Sequence, residues 1–394
     1  MMSKIRILPE IISNKIAAGE VVERPASVVK ELVENALDAG STKIVVEAEK
    51  GGRSLIRVSD NGSGMNRDDA LLALERYATS KIFTDADLYS IQSLGFRGEA
   101  LPSIAAVSRL TLVTRESEAA AGTEIRVAGG KILKVADTGA PPGTMVTVES
   151  LFFNTPARRK FMKTVTTEMG HIADVANSIA LGRPEVFFRL VHNGKTLKSW
   201  PPAADRLDRV AEVLGADLRA ELYPVGRQAD GVSVDGWVSS PRVFRSTSRG
   251  VFNYVNGRFV RDRVIQHALF AGYRQRLVKG RFPLAALFVT LPSGEVDVNV
   301  HPTKHEVRFA QQRLVHDLVQ TAVAETLDRE DRPMWKGADF TPPEPSQAIP
   351  RISENLGTGY ETQSSKLKGQ SSKGEAESSK LKAEREKGKG QRRV

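Results

Sequence analysis

Helix-type and strand-type hydrophobic patterns alternate over the first 335 residues, and this alternation constrains the fold more than any other feature of the sequence. Residues 27–38 carry apolar side chains three and four positions apart, a spacing that predicts an amphipathic helix. Strand patterns follow at 43–49 and 54–59, separated by two glycines. Strands interleaved with helices predict an α/β fold in which helices cover a sheet.

The pattern continues to residue 328 and restarts near Gly215. Because one hydrophobic core rarely grows beyond ~250–300 residues, we expect two domains, at 1–215 and 216–335. The further predicted elements are helices at 67–77, 167–181, 262–277 and 311–328, several strands between 110 and 149, a hairpin over 186–200 that turns at Asn193 and Gly194, and strands at 232–238, 251–255, 284–291 and 295–300. The remaining residues, 336–394, are rich in Ser, Lys, Glu and Gly, which predicts a disordered linker or tail.

Composition excludes several classes of protein. None of the 394 residues is cysteine, which excludes disulfide scaffolds, Cys-ligated metal sites and thiol catalysis. No apolar run approaches ~18 residues, so a membrane-spanning helix is not expected. The first residues lack the apolar core of a signal peptide, and we therefore expect a cytoplasmic location.

Several common chemical motifs are missing from the sequence. The Gly-Lys-Thr at 194–196 has Arg189 where a P-loop requires its first glycine. His301 and His305 are four residues apart but straddle a proline in a predicted loop, which disfavours a metal site. Three polar stretches in the first hundred residues remain as candidates for chemistry.

The first stretch is the predicted helix at 27–38. At 100° per residue, Glu31, Asn35 and Asp38 fall within about 60° of one another, opposite the apolar stripe. An ordinary solvated helix face is one interpretation. The other is a carboxylate that orients or deprotonates water, with an amide oxygen one turn later that can ligate Mg²⁺.

The second stretch surrounds Asp60. Strand alternation places Asp60 on the same side as Ile56 and Val58, which are predicted to be buried. One interpretation is that the carboxylate forms an Asx-type turn within the chain. The other is that it accepts a hydrogen bond from the amine of a ligand. Gly62 and Gly64 lack side chains where a ligand could approach the backbone.

The third stretch combines Thr79, Ser80 and Lys81 with the glycine-flanked segment 93–100. Gly95 and Gly98 flank Arg97 ahead of a helix-compatible run, a pattern suited to a loop whose N–H groups surround a phosphate.

In this order and spacing, the motifs resemble the ATPase superfamily of DNA gyrase, Hsp-type chaperones and sensor histidine kinases, and more narrowly the MutL family of DNA mismatch repair proteins. The matching segments are 16–25 (Ile-Ala-Ala-Gly-Glu-Val-Val-Glu-Arg-Pro), 34–40 (Glu-Asn-Ala-Leu-Asp-Ala-Gly), 78–82 (Ala-Thr-Ser-Lys-Ile), 94–101 (Leu-Gly-Phe-Arg-Gly-Glu-Ala-Leu), 151–160, 254–258 (Tyr-Val-Asn-Gly-Arg) and 297–309. The resemblance covers about residues 5–330.

The resemblance implies a two-layer gyrase-type ATP-binding sandwich over 1–215, followed by a smaller α/β domain like the second domain of gyrase B and then the tail. It implies ATP and Mg²⁺ as ligands, Glu31 as the general base and Asn35 as the Mg²⁺ ligand. The further nucleotide contacts that it implies are Asp38, Asp60, Gly62, Gly64, Thr79, Ser80, Lys81, Leu94, Gly95, Phe96, Arg97, Gly98 and Thr144, with Lys304 reaching the γ-phosphate from the second domain.

The implied function is that of a mismatch repair matchmaker. Slow ATP hydrolysis would switch its conformation and dimerisation, and couple a MutS-type mismatch recognition protein to a downstream endonuclease or helicase on the bacterial nucleoid. The family's dimerisation region and endonuclease motif are missing, so we expect an amino-terminal portion without a nuclease domain. A nucleotide-independent DNA-binding scaffold is the alternative. A topoisomerase ATPase subunit is a third, disfavoured by segments 151–160 and 254–258.

A DNA-binding surface is predicted from charge alone. Residues 241–281 hold ten basic side chains and one acidic one. We predict a groove that follows phosphates without reading bases, against the alternative of scattered surface charge. The candidate contacts are Arg158, Arg159, Lys160, Arg242, Arg245, Arg261, Arg263, Arg274 and Arg276. From residue 351 onward, the tail has 11 basic and 6 acidic residues, so it is a competing DNA site.

Overall fold

The computed structural model describes residues 18–19, 21–82, 84, 93–95, 97–297 and 307–330. By its internal contacts the chain divides into residues 1–334 and 335–394. The predicted tail at 336–394 lies outside the described residues. In the described part, no helix is both long enough and apolar enough to cross a membrane.

Eight α-helices lie with both of their ends in the described residues. They are α1 (Pro25–Asp38), α2 (Arg67–Leu72), α3 (Ala100–Ala106), α4 (Pro156–Phe161), α5 (Val165–Gly182), α6 (Arg206–Leu214), α7 (Arg263–Tyr273) and α8 (Gln312–Glu330). Proline at its first position starts α1, because proline lacks only an N–H that would be unpaired there. Gly40, with φ +73°, follows its end, a backbone conformation that favours glycine.

The first sheet has eight strands, β1 (Lys43–Glu49), β2 (Leu55–Asp60), β3 (Arg109–Arg115), β4 (Gly122–Ala128), β5 (Lys131–Thr138), β6 (Gly143–Glu149), β7 (Phe187–His192) and β8 (Lys195–Trp200). Their order across the sheet is β5-β4-β3-β6-β2-β1-β7-β8. Neighbours are antiparallel except β1 and β7, which are parallel. Helices α1 and α5 pack together over this sheet, and the buried residues of β1 and β2 alternate as a two-layer arrangement requires.

The second sheet has five strands in the order β13-β12-β15-β10-β9, formed by β9 (Leu222–Ala229), β10 (Val232–Ser239), β12 (Val251–Val255), β13 (Arg258–Val260) and β15 (Ala285–Thr290). One face packs against α7 and α8. The other face packs against the end of α5 and against α6, where Tyr254 and Phe252 meet Leu181 and Val210. Two small pairs complete the strands, β11 (Phe244–Arg245) with β14 (Phe282–Pro283) and β16 (Val296–Asp297) with β17 (Arg308–Phe309).

The α/β class and the two-layer sandwich predicted from the sequence are confirmed. The hairpin is confirmed as β7 and β8, with left-handed φ values at Asn193 and Gly194. Two predicted helices were too long, because α2 ends at Leu72 and α7 ends at Tyr273, before Arg274 takes a φ of +41°. The proposed boundary at 215/216 stays a prediction, since α6 and the sheets on both sides of it belong to one unit.

Candidate functional site

Helix α1 presents its polar face to a cavity. Val28, Val29 and Val33 are fully buried beneath it, which fixes the rotation of the helix. Glu31, Asn35 and Asp38 consequently lie on the opposite side, where they line the cavity. The side chains of Glu31 and Asp38 are only 17% and 10% exposed, so the solvated-face interpretation is wrong for this helix.

Asp38 is the centre of the hydrogen-bond network beside the cavity. Its Oδ1 accepts from the Leu94 N–H at 2.9 Å, and its Oδ2 accepts from the Gly95 N–H at 3.1 Å. The same Oδ2 lies 2.6 Å from the Lys81 ammonium. One carboxylate at the end of α1 therefore positions two loops that are distant from it in sequence.

Lys81 also connects to Asn35. Its Nζ donates to Asn35 Oδ1 at 3.0 Å, and its own N–H donates to Thr79 Oγ1 at 3.2 Å. The Asn35 oxygen therefore faces a positive charge inside the cavity wall. An amide oxygen can also ligate a hard divalent cation such as Mg²⁺, which would have to replace the Lys81 ammonium at this oxygen.

Asp60 ends β2 with its carboxylate directed inward, as the strand alternation predicts. Its Oδ1 accepts from the Gly62 N–H at 2.8 Å, so the Asx-type turn is present, and from Ser41 Oγ at 3.0 Å. Burial raises the pKa of the Asp60 carboxyl, an effect partly offset by hydrogen bonds from the Gly62 backbone, Ser41 and the Thr144 backbone. The bonded carboxylate still lines the cavity.

Two supporting residues were not predicted from the sequence. Ser41 positions Asp60, and Thr114, which is 1% exposed, lies 2.9 Å from Thr144 Oγ1 and accepts from the Met65 N–H. Thr114 and Thr144 are directly paired across β3 and β6. Pairing of strands thirty residues apart has no local sequence signature, which is why these residues were missed.

Two glycines of the predicted loops lie where a side chain would clash with neighbouring backbone. A Cβ on Gly64, whose φ is +70°, would lie 2.1 Å from the Arg115 carbonyl oxygen. On Gly98, with φ +61°, it would lie 2.3 Å from the Ala78 carbonyl oxygen. Close approach of backbone to backbone explains both positions without a ligand.

Most of the predicted nucleotide residues surround one cavity of about 940 Å³. This volume is in the range of small-molecule and cofactor sites. The predicted residues that line it are Glu31, Asn35, Asp38, Asp60, Gly64, Thr79, Ser80, Lys81, Gly95, Arg97, Gly98 and Thr144. Gly62 and Leu94 contribute through their N–H bonds to Asp60 and Asp38, whereas Phe96, Lys304, His301 and His305 lie outside the described residues.

The predicted basic surface divides into two groups. Exposed side chains are found at Arg159, Lys160, Arg242, Arg245, Arg261, Arg263 and Arg274. Two other candidates are half-buried and are held by partners elsewhere in the chain. Arg158 donates to the Val22 carbonyl at 3.1 Å, and Arg276 forms an ion pair with Asp328. Charge counting alone could not separate these groups, because it contains no information about partners.

Two family models match the chain. Residues 23–132 match "Histidine kinase-, DNA gyrase B-, and HSP90-like ATPase", and residues 210–328 match "DNA mismatch repair protein, C-terminal domain". The curated DNA mismatch repair protein MutL of Geobacter sulfurreducens is 57% identical over 362 residues, which cover 91% of this chain and 59% of that protein. The chain thus spans about three fifths of the length of this relative.

Solved structures give the same result. The MutL ATPase domain of Aquifex aeolicus complexed with ADP is 30% identical, with a TM-score of 0.56 over 76% of this chain and 98% of that one. The N-terminal domain of a DNA repair protein is 26% identical, with a TM-score of 0.70 over 80% of this chain and 98% of that one. The chain therefore belongs to the MutL family of DNA mismatch repair proteins.

Proposed function

We propose that the chain binds ATP with Mg²⁺ in the cavity beside α1 and hydrolyses it slowly. The observation that supports this most directly is the convergence of Glu31, Asn35, Asp60 and Gly95 on one cavity. A related structure, the Aquifex aeolicus domain, is described as a complex with ADP. We accordingly assign 1–215 as the ATP-binding domain and 216–335 as the second, DNA-contacting domain.

The residues present fit the proposed ligands. Asp60 would accept a hydrogen bond from the adenine amino group, with Thr144 beside it. Thr79, Ser80 and Lys81 would lie on the phosphate side, together with Gly95, Arg97 and Gly98, which also line the cavity. Backbone N–H groups and a lysine ammonium are the donors that phosphates require.

Glu31 would act as the general base. Its carboxylate lines the cavity one helical turn before Asn35, the residue that would hold Mg²⁺ with its amide oxygen. Mg²⁺ supplies charge neutralisation on the phosphate oxygens when it is bound. Glu31 would orient a water and take its proton, while Lys304, if it reaches the γ-phosphate, would stabilise the developing charge.

The wider role follows from the family. We propose a cytoplasmic matchmaker that contacts DNA without sequence preference and links a MutS-type mismatch recognition protein to a downstream endonuclease or helicase. ATP binding would promote a homodimer through this region. The partner proteins and the role of the whole protein rest on family membership, because the chain covers 59% of the curated relative.

Calorimetry with a non-hydrolysable ATP analogue and Mg²⁺, together with an ATP hydrolysis assay, tests the nucleotide site. We expect binding that is lost when Mg²⁺ is chelated, and slow release of phosphate. A DNA-binding scaffold that does not use nucleotide would bind duplex DNA but show neither result. Sedimentation with the same analogue tests dimerisation, and a chain that remains monomeric at all concentrations would refute this part of the proposal.

A further inference from the structure

The loop at 93–95 is bonded from two sides of the molecule. Asp38 accepts its Leu94 and Gly95 N–H groups from the side of α1. From the other side, Arg258 Nη2 donates to the Ser93 carbonyl oxygen at 2.9 Å, although the two residues are 165 positions apart. Arg258 is only 7% exposed, and a charge-assisted hydrogen bond is stronger away from water.

Arg258 projects from a firmly built part of the second sheet. It begins β13 after a two-residue turn at Asn256 and Gly257, where both φ values are positive, +48° and +77°. The Asn256 side chain fixes this turn by bonds to the backbone O and N of Leu291, both at 3.0 Å. The turn before Arg258 is therefore anchored to the second sheet, and any shift between Ser93 and β13 changes the Arg258–Ser93 hydrogen bond.

The loop must change if phosphates are to use its N–H groups. Gly95 N–H donates to Asp38, and Ser93 Oγ donates to the Gly95 carbonyl at 2.8 Å. A phosphate that takes the Gly95 N–H has to replace Asp38 as the acceptor. Because Ser93 is hydrogen-bonded to Gly95, a shift of Gly95 would also move the Ser93 carbonyl, which accepts from Arg258.

The opposite end of β13 leads to the basic surface. Arg261 follows Arg258 by three residues, and its guanidinium lies 6.0 Å from the centre of the Phe259 ring. Arg263 begins α7, two residues later. A contact of DNA phosphates with these exposed arginines would act on the strand that carries Arg258.

We propose that Arg258 is a positioning residue that couples the 93–95 loop to β13, so that nucleotide and DNA change each other's affinity. This inference rests on the proposed function. Coupling between two binding sites is reciprocal, and it is typically about 5- to 150-fold in affinity. Arg258 contributes to this coupling through the Ser93 bond without touching the nucleotide or the DNA.

The test compares Arg258→Gln and Arg258→Lys with a matched control, Arg206→Gln. Arg206 also lies beside the second sheet, where it pairs with Asp235 at 3.0 Å and covers Phe288, outside both proposed sites. The affinity for a non-hydrolysable ATP analogue with Mg²⁺ is measured with and without duplex DNA. The affinity measured with DNA and the affinity measured without it should differ by a ratio of at least about fivefold in the wild-type chain and in Arg206→Gln. In Arg258→Gln this ratio should be near one.

Arg258→Lys should restore part of the ratio, because an ammonium can also donate to Ser93. A purely structural role would lower the melting temperature of both Arg258 variants without changing the ratio, and this result would overturn the inference. An unchanged wild-type affinity on addition of DNA would also overturn it. A wild-type chain that does not bind the analogue at all would instead refute the proposed function.

Because Arg258 is buried, the glutamine variant could fail to fold, and amide exchange of Leu94 and Gly95 then provides a second measurement on Arg258→Lys. Faster exchange in the nucleotide-free lysine variant, with a reduced ratio, supports the inference. Wild-type exchange together with a wild-type ratio overturns it.

Discussion

The cavity beside α1 and the basic surface of the second sheet are built in opposite ways. The cavity residues are bonded to one another across long sequence distances, as in the bond between Asp38 and Gly95, 57 positions apart. The exposed arginines, such as Arg242 and Arg261, come from one short segment and project outward. The cavity is suited to a small ligand of fixed shape. The surface is suited to a polyanion such as DNA, which phosphate contacts can hold at any point along its length.

This difference determines what a mutation should do in each region. A bonded cavity residue has a specific role, and its loss should affect one step sharply. An exposed basic residue contributes one electrostatic contact among several, and its loss should weaken binding gradually. The predictions below run from the sharpest expected effect to the smallest.

Glu31→Ala should produce the largest change. General-base catalysis contributes about 10²- to 10⁴-fold to rate, so we expect hydrolysis to fall by this factor while analogue binding stays close to wild type. Asn35→Ala is the matched comparison on the same helix face, and it should lose binding because the metal ligand is gone. Rapid-quench hydrolysis and calorimetry measure the two effects. Wild-type hydrolysis by Glu31→Ala would show that another residue acts as the base.

Replacing both Arg261 and Arg263 with Glu should have the next largest effect. Each lost phosphate contact should reduce the slope of log K against log salt by about 0.9, so the double variant should lose about 1.8. All sequences should be weakened alike, since phosphate contacts carry no base information. DNA binding is measured across salt concentrations on the full chain and on a chain ending at Pro350. If the shortened chain does not bind, the tail is the DNA site.

The sequence predicted which side chains of α1 and β2 share a face, because these patterns are local. Helical spacing placed Glu31, Asn35 and Asp38 on one face, and strand alternation turned Asp60 inward, and the structure agrees with both. Neither pattern could show that Lys81 approaches Asn35 or that Thr114 supports Thr144, because these contacts depend on how distant strands and loops are paired. Periodicity describes one element at a time.

The fold shows the same limit. The two glycines after β1, the Asn193–Gly194 turn and the apolar stripe of α1 are local signals, and the corresponding elements are present. The end of α7 was misplaced by four residues, because no glycine or proline directly follows Tyr273 to mark the end of the helix. The Tyr273 hydroxyl donates to the Ser239 carbonyl. This tertiary contact lies beside the end of the helix and has no local signal in the sequence.

A third prediction separates the two kinds of basic residue within one short helix. Arg158 and Arg159 are neighbours on α4, but Arg158 is half-buried against the Val22 carbonyl, whereas Arg159 is exposed. Arg158→Gln should lower the free energy of unfolding by about 1.5 to 3 kcal/mol, the scale of a hydrogen bond from a charged donor. Arg159→Gln should leave stability unchanged and weaken DNA binding. Denaturant titration and DNA titration of both variants measure this, and equal losses of stability would contradict the division of the surface.

The smallest expected effect on stability concerns Asp60, where hydrogen bonding and burial act on the pKa of the carboxyl in opposite directions. Burial raises the pKa of this carboxyl above 3.8, so the folded state binds a proton more tightly than the unfolded state. The stability contributed by that proton is complete below pH 3.8 and is lost as the pH rises through the folded-state pKa. Asp60→Asn keeps an oxygen that can accept from Gly62 and Ser41 but has no charge to bury. The variant should therefore gain stability relative to wild type as the pH rises through this interval, by about 1.4 kcal/mol per unit of pKa difference, while losing affinity for adenine nucleotides. Denaturant unfolding from pH 3 to 8 measures the gain, and a stability difference that does not vary with pH would show that burial does not control this carboxyl.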